Sequence, residues 1–315
     1  MTEISTRTAG IDTGKHTLDV AVHGHALRLS VANREAGWRS LIEALREAHV
    51  TRAGIEATGG YERGVVDALR AAGFRVLVLQ PLQVKSLARL RLRRAKNDAL
   101  DAALIAQCAA MLADPPVDCD TRVPPLADQL TFIEQIEEDM ARQKNRLEHT
   151  AEARLRGLIE ADIRRLRTCR TRELRRLAKA VREHHPLRRR FELVLSIPGL
   201  GERTALSIIL RMPELGRLSR EQAAALAGLA PFDDDSGQRQ GQRHIAGGRD
   251  RLRRALYAAA LPAAFHWNKA LIALYRRLTA IGKPHRLALV ACARKLIVYA
   301  NAVVQRGHPW TVAQA

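Results

Sequence analysis

The chain has 315 residues, enough for two domains and a sizeable core. Its 52 Lys and Arg against 33 Asp and Glu leave a formal charge of +19, which points to a polyanionic partner. With no signal-peptide pattern and no apolar run of about 18 residues, that partner is read as nucleic acid rather than a membrane. Cys108, Cys119, Cys169 and Cys292 lie far apart with no C-x-x-C pair, so neither a zinc module nor a disulfide framework is indicated, and a reducing cytoplasm fits. Aromatic residues make up only 4% of the chain, which argues against a single-strand binder built on a track of stacked bases.

Residues 8–11, 17–22 and 26–31 read as three consecutive short strands joined at Gly14 and Gly24. A helix near 34–48, a strand near 52–56, a helix near 61–72 and an apolar strand at 75–79 follow, and Pro81 marks entry to further helix. Three antiparallel strands followed by strand-helix alternation is the ribonuclease H order, which sets the first and fourth strands side by side. Asp12 ends the first of these and Glu56 the fourth. Asp98 and Asp101 open a later helix, and their spacing puts both on one face. Four carboxylates so placed can gather around a divalent cation, and hard oxygen ligands suit Mg²⁺ or Mn²⁺ far better than zinc.

Singly, each of these acids would more often be a helix cap or a solvated charge; the ordered set in its strand context reverses that balance. Glu62 competes with Glu56 but falls in the following helix. The stretch from Gly10 to Lys15 superficially resembles a phosphate loop, yet its spacing is short and His16 stands where Ser or Thr is needed, so no nucleotide cofactor is expected. Lys85, Arg89, Arg91, Arg93, Arg94 and Lys96 form a basic stretch, favoured as nucleic-acid backbone contact over a solvated helix face.

From 126 to 181 apolar residues recur at spacings of three and four, as in a coiled coil or a pair of long antiparallel helices. Pro115-Pro116 and Pro124-Pro125 precede this connector and Pro186 closes it, giving segments 1–114, 115–186 and 187–315. Arginines between Arg164 and Arg176 are evenly balanced between nucleic-acid contact and charged helix flank. The last segment reads as all helical. Its I-P-G-L-G run at 197–201 has the form of a helix-hairpin-helix turn, whose Gly199 and Gly201 amides can face a DNA phosphate. A polar loop, 231–248, places Ser236-Gly237 among Arg239, Arg243, Arg249 and Arg253, where a hydroxyl can meet a phosphodiester held by guanidinium groups. His184-His185 and His23-x-His25 lack the companions of a metal site and are read as surface or nucleic-acid contacts.

The runs G-I-D-T-G-K-H at 10–16, I-E-A-T-G-G-Y-E at 55–62, K-N-D-A-L-D-A at 96–102, I-P-G-L-G, and G-L-A-P at 228–231 with a downstream S-G and G-G-R are specific together. Over nearly its whole length the chain resembles the insertion-sequence one-ten family of transposases, also called bridge-RNA-guided recombinases. That resemblance implies a RuvC-like first domain whose D-E-D-D set is Asp12, Glu56, Asp98 and Asp101, and a C-terminal transposase domain whose nucleophile is Ser236. It further implies Mg²⁺ or Mn²⁺ at the acids and a protein-DNA phosphoserine ester that conserves the broken bond. The expected partners are donor and target double-stranded DNA, a structured noncoding bridge RNA, and further copies of the chain in a dimer that assembles to a tetramer. The serine domain of one copy is expected to face the RuvC-like domain of another.

Three classes of function are weighed. The favoured one is a DNA transposase or recombinase, which includes a site-specific invertase of the same family. A Holliday-junction-resolvase-like metal nuclease would leave Ser236 structural. A non-enzymatic basic scaffold would have no use for four converging acids.

Overall fold

In the computed structural model the described residues are 7–91, 98–112, 123–232 and 244–311, with the backbone alone described at 82, 98–100 and 232. The chain divides into two compact units, Met1–Asp118 and Cys119–Ala315. The three segments drawn from the sequence compare with these two, because helices from 115–186 share a core with those of 187–315.

The first unit runs β1 (Arg7–Thr13), β2 (Thr17–Val22), β3 (Arg28–Ala32), α1 (Glu35–Glu47), β4 (Val50–Glu56), α2 (Arg63–Ala71), β5 (Arg75–Leu79), α3 (Pro81–Leu90) and α4 (Asp98–Met111). The strands form one sheet in the order β3-β2-β1-β4-β5. β1 is antiparallel to β2 and β2 to β3, whereas β4 lies parallel to both β1 and β5. This is the ribonuclease H arrangement read from the sequence. Both faces of the sheet are covered: Leu41 and Leu45 of α1 with Val65 and Leu69 of α2 pack on one side, and α3 and α4 build a second cluster with Leu77 and Leu79. Central strands buried on two faces account for the continuous apolar character of A-G-I in β1 and A-G-I in β4.

The second unit opens on α5 (Val123–Glu148) and α6 (Ala153–Glu183). Contacts pair Gln129 with Glu173, Glu137 with Arg170 and Gln143 with Asp162, so the two run antiparallel. After them come α7 (His185–Leu195), α8 (Glu202–Arg211), α9 (Arg220–Leu226), a ribbon of β6 (Pro231–Phe232) and β7 (His244–Ile245), then α10 (Asp250–Pro262), a π-turn (Ala263–Trp267), α11 (Lys269–Ala280) and α12 (His285–Arg306). The ribbon corrects the all-helical reading of this segment: strands of two residues are too short to carry an alternating pattern. By length and composition α12 could cross a membrane, although Arg294 and Lys295 interrupt its apolar character. Here Leu289, Cys292, Leu296, Ile297 and Ala300 of that helix are core residues of the unit. His184 is buried rather than superficial, and its ring Nδ1 accepts from the Leu187 amide at 3.4 Å at the start of α7.

Candidate active site of the first unit and the serine loop of the second

Asp12 lies near the end of β1, and Glu56 ends β4. Register pairs Ile11 with Ile55, so these acids stand one residue beyond on neighbouring parallel strands. Both are half-buried. Just before them Gly10 faces Gly54, and neither could carry a side chain. A Cβ on Gly10 would meet the Ala106 N at 2.1 Å and the Ala102 O at 2.2 Å, and one on Gly54 would meet the Ala109 Cβ at 2.4 Å. The two glycines form a seat into which α4 settles by its small residues 102, 106 and 109, one face of a helix.

That seat fixes the direction of α4. Arg52 donates to the Leu112 carbonyl, and Gly54 is met by Ala109 and Ile105, so the helix runs against β4 with its N-terminus toward the strand ends. Asp98 precedes Ala102 by about 6 Å of helix, and Asp12 follows Gly10 by about 7 Å of strand. The matching lengths bring the start of α4 to the level of Asp12 and Glu56. The Asp98 side chain lies outside the described residues, whereas Asp101 is half-buried on α4. Among the described residues no three His, Cys, Asp or Glu side chains already converge as a metal cage. Carboxylates such as those of Asp12, Glu56 and Asp101 have the oxygen chemistry that suits a hard divalent ion.

Two residues around this edge shape its loops. Glu62 turns its carboxylate back into the T-G-G turn, where Oε2 accepts from the Gly60 amide at 2.8 Å, the Thr58 hydroxyl at 2.9 Å and the Thr58 amide at 3.2 Å. Burial pushes the Glu62 carboxyl up, but hydrogen bonds from its own backbone, Gly60 and Thr58 outweigh it and hold the group below its ordinary value. Asn33 was not singled out from sequence. Its Nδ2 donates to the carbonyls of Gly14 at 2.9 Å and Tyr61 at 3.0 Å, while its Oδ1 accepts from the Trp38 indole at 2.9 Å. It thereby ties the turn after Asp12 to the loop after Glu56. A lone asparagine between strand and helix reads as a turn residue, and no sequence signal reveals a tie of this kind.

Of the basic stretch, Lys85, Arg89 and Arg91 are exposed on α3 and at its end, and Arg93, Arg94 and Lys96 lie outside the described residues. In the second unit Ile197–Gly201 forms the turn between α7 and α8. Gly199 has φ of 96° and would drive a Cβ into Ala263 at 2.4 Å, so its glycine is required for packing; Gly201 is exposed at the start of α8. β6 and β7 pair Pro231 with Ile245 and Phe232 with His244, holding together the two ends of segment 233–243. Ser236, Arg239 and Arg243 fall within that segment, outside the described residues.

The two described arginines of this loop have protein partners. Arg249 grips Glu214 with two hydrogen bonds, at 2.6 and 3.0 Å. Arg253 donates to the Gly247 carbonyl and to Asp250, each at 2.7 Å. Deeper in the unit, Glu134 is 6% exposed and is met by Arg203 at 3.4 Å and Arg251 at 2.8 Å, with Arg211 alongside. This ion cluster joins α5, α8 and α10. Its members lie far apart in sequence, and no local pattern announces it.

Two family models match the chain, the first spanning the described first unit and continuing into α5 and α6 of the second. A DEDD transposase model of the IS110 type matches residues 9–159, and the model described as "Transposase IS116/IS110/IS902 family" matches residues 191–276. The pilin gene-inverting proteins of Moraxella bovis and Moraxella lacunata are each 24% identical to this chain, with 96% of both chains covered. The insertion element IS110 43.6 kDa protein of Streptomyces coelicolor is 32% identical over 130 residues, 41% of this chain and 31% of that one. Among solved structures, Thermus thermophilus RuvC in complex with a Holliday junction substrate matches at 21% identity and a TM-score of 0.29, over 33% of this chain and 92% of that chain. With both halves matched in chain order, the chain belongs to the IS116/IS110/IS902 family of transposases and is a DNA transposase or recombinase enzyme.

Proposed function

We propose that this transposase exchanges DNA strands through a covalent Ser236 ester, with Asp12, Glu56, Asp98 and Asp101 as holders of a divalent cation, Mg²⁺ or Mn²⁺. The Ser236 Oγ attacks phosphorus and loses its proton, an O–P bond forms, and the P–O bond to a DNA hydroxyl breaks. A later attack by a DNA hydroxyl on such an ester restores the phosphodiester and frees the serine, so no nucleotide cofactor is consumed. A bound divalent ion supplies charge neutralisation at the scissile phosphate. The observation that supports the acid site in this reading is the Gly10-Gly54 seat, which directs the start of α4 toward the two acid-bearing strand ends, while the serine ester rests on the family resemblance.

The same reading assigns recognition of donor and target DNA to an element-encoded bridge RNA, with the protein holding backbones rather than reading bases, in a dimer that assembles to a tetramer in the cytoplasm. The charge of +19 and the exposed Lys85, Arg89 and Arg91 favour backbone contact. Gly199, Gly201, Arg239 and Arg243 are further proposed contacts. A second outcome of the same chemistry, site-specific inversion, is favoured by one finding: the pilin gene-inverting relatives align along 96% of this chain.

The deciding experiment sequences circular element junctions from cells carrying the intact element, with an inverting reporter alongside, for wild type, Ser236→Ala and Asp12→Ala. Clean junctions or inversions from wild type and none from either variant support a serine and an acid site acting in one reaction. Persistent product from Ser236→Ala would sink the serine ester and leave the resolvase-like mechanism as the better account.

A further inference from the structure

A cavity of about 580 Å³ opens in the second unit between α9, α11 and α12, within the ~300–1,000 Å³ range of small-ligand sites. Its floor is apolar and aromatic: Leu274 and Leu278 from α11, Val298 and Tyr299 from α12, and Trp310 beyond it. The Tyr299 and Trp310 ring centroids are 4.5 Å apart. Trp310 is half-buried, and its backbone amide donates to the Ser196 hydroxyl at 2.8 Å, which fixes its position.

The rim has a different character. Arg220, Arg294, Lys295 and Arg306 line it, with Glu221 as the one carboxylate. Lys295 Nζ stands 5.8 Å from the Tyr299 ring centroid. Among the described residues none of these four cations has a carboxylate within ion-pair distance, whereas Arg203, Arg211, Arg249 and Arg251 of the same unit all do. Glu221 interacts electrostatically with Arg220 and Arg294 but offsets only one of the four positive charges. An apolar aromatic floor under a rim of net positive charge is the chemistry of a nucleotide, a flat π-system joined to anionic phosphate.

We infer that this cavity takes one unstacked nucleotide of single-stranded DNA, its base against Trp310 and the leucines and its flanking phosphates on Arg220, Arg294, Lys295 and Arg306. A purely apolar segment would leave the net positive charge of the rim unused, and an acidic peptide would leave the ring floor unused. Two rings serve one base rather than a track, in keeping with the low aromatic content of the chain. Strand exchange supplies the ligand, because exchanged strands must come apart before they rejoin. Ser236 and the four acids play no part in this site, so a failure here and a failure of the serine ester are separable.

The test uses the full chain and a fluorescein-labelled oligothymidylate, with a blunt duplex and an RNA of matching sequence in parallel. Trp310→Ala is expected to weaken oligothymidylate binding on the order of tenfold. Arg294→Gln with Lys295→Gln is expected to lower the slope of log affinity against log salt by about 0.7 per cation, with duplex binding little changed. Bromouracil in the oligonucleotide should cross-link to the peptide that carries Tyr299 and Trp310. Because Trp310→Ala could disturb folding, Arg220→Gln and Arg306→Gln, both at exposed positions, serve as a second pair with the same expectation. Equal losses on duplex and single strand, cross-links elsewhere, or binding of the RNA without the DNA would overturn the inference.

Discussion

Gly10 and Gly54 stand opposite each other on neighbouring parallel strands, and α4 occupies the space that side chains there would fill. This pair converts a sheet into a platform for the helix that carries Asp98 and Asp101. A Cβ at Gly10 meets backbone of α4 rather than a movable side chain, so relief requires shifting the helix. Gly10→Val is expected to cost roughly 1–3 kcal/mol or more by overpacking and to abolish strand exchange through displacement of the acids. Gly54→Ala presses on the Ala109 Cβ, and Ala109→Gly in the same chain should recover stability. Thermal melting of the single and double variants tests this; full stability in Gly10→Val would disprove the seat.

Asn33 uses both of its amide donors and its carbonyl oxygen in three contacts, two of them to the loops that follow the acid-bearing strands. Asn33→Asp keeps the acceptor for Trp38 but loses both donors, and it adds charge beside two carbonyls. The expected result is a loss of about 1–3 kcal/mol and faster amide exchange at residues 57–62. Unchanged exchange there would mean that the loops stand without this tie.

The Glu62 carboxyl lies below its ordinary value of 4.5, so its contribution to stability is present above that value and is lost as pH falls through the lower folded value. Acidification should therefore release the Thr58 and Gly60 amides before the sheet unfolds. Glu62→Gln removes the titrating group and should flatten the pH dependence of amide exchange at those two residues. Hydrogen exchange across neutral to strongly acidic buffers reads both; identical curves for variant and wild type would show that the turn does not depend on the carboxylate.

The residues most legible in the sequence are those whose surroundings are local. The bounds of β2 follow from an alternating run and those of β5 from a short apolar run, and the acids at the ends of β1 and β4 follow from strand order alone. α5 and α6 follow from their period. What escaped is long-range. Asn33 bonds residues on both sides of it in the chain, and Glu134 gathers arginines from helices well downstream. Arg249 and Arg253 looked free for phosphate because Glu214 and the Gly247 carbonyl become their partners only in the fold.

Glu134 is nearly enclosed, and three arginines are arranged around its carboxylate. Removing a buried partner leaves charge unpaired, which typically costs about 3–5 kcal/mol. Glu134→Ala should destabilise the second unit by that order. Glu134→Gln, which keeps the shape and some acceptor capacity, should fall between. Denaturant unfolding followed by a probe in α8 or α10 measures this, and a loss under about 1 kcal/mol would show the cluster to behave as a surface pair does.

Arg249 and Glu214 offer a sharper choice, because the arginine is near the serine loop in sequence and yet bound to a carboxylate in structure. If Arg249 braces the fold, Arg249→Ala leaves Glu214 without its bidentate partner, and Glu214→Ala leaves the guanidinium without its own. The double variant should then be more stable than the sum of the two single losses, with a coupling of about 0.5–3 kcal/mol. DNA affinity at fixed salt should fall no further in the double variant than in Arg249→Ala. If Arg249 instead holds a phosphate, the coupling vanishes, Glu214→Ala strengthens DNA binding by freeing the guanidinium, and Arg249→Ala lowers the salt slope by about one. Melting curves and DNA titrations on the same four proteins separate a brace for the serine loop from a hand on the DNA.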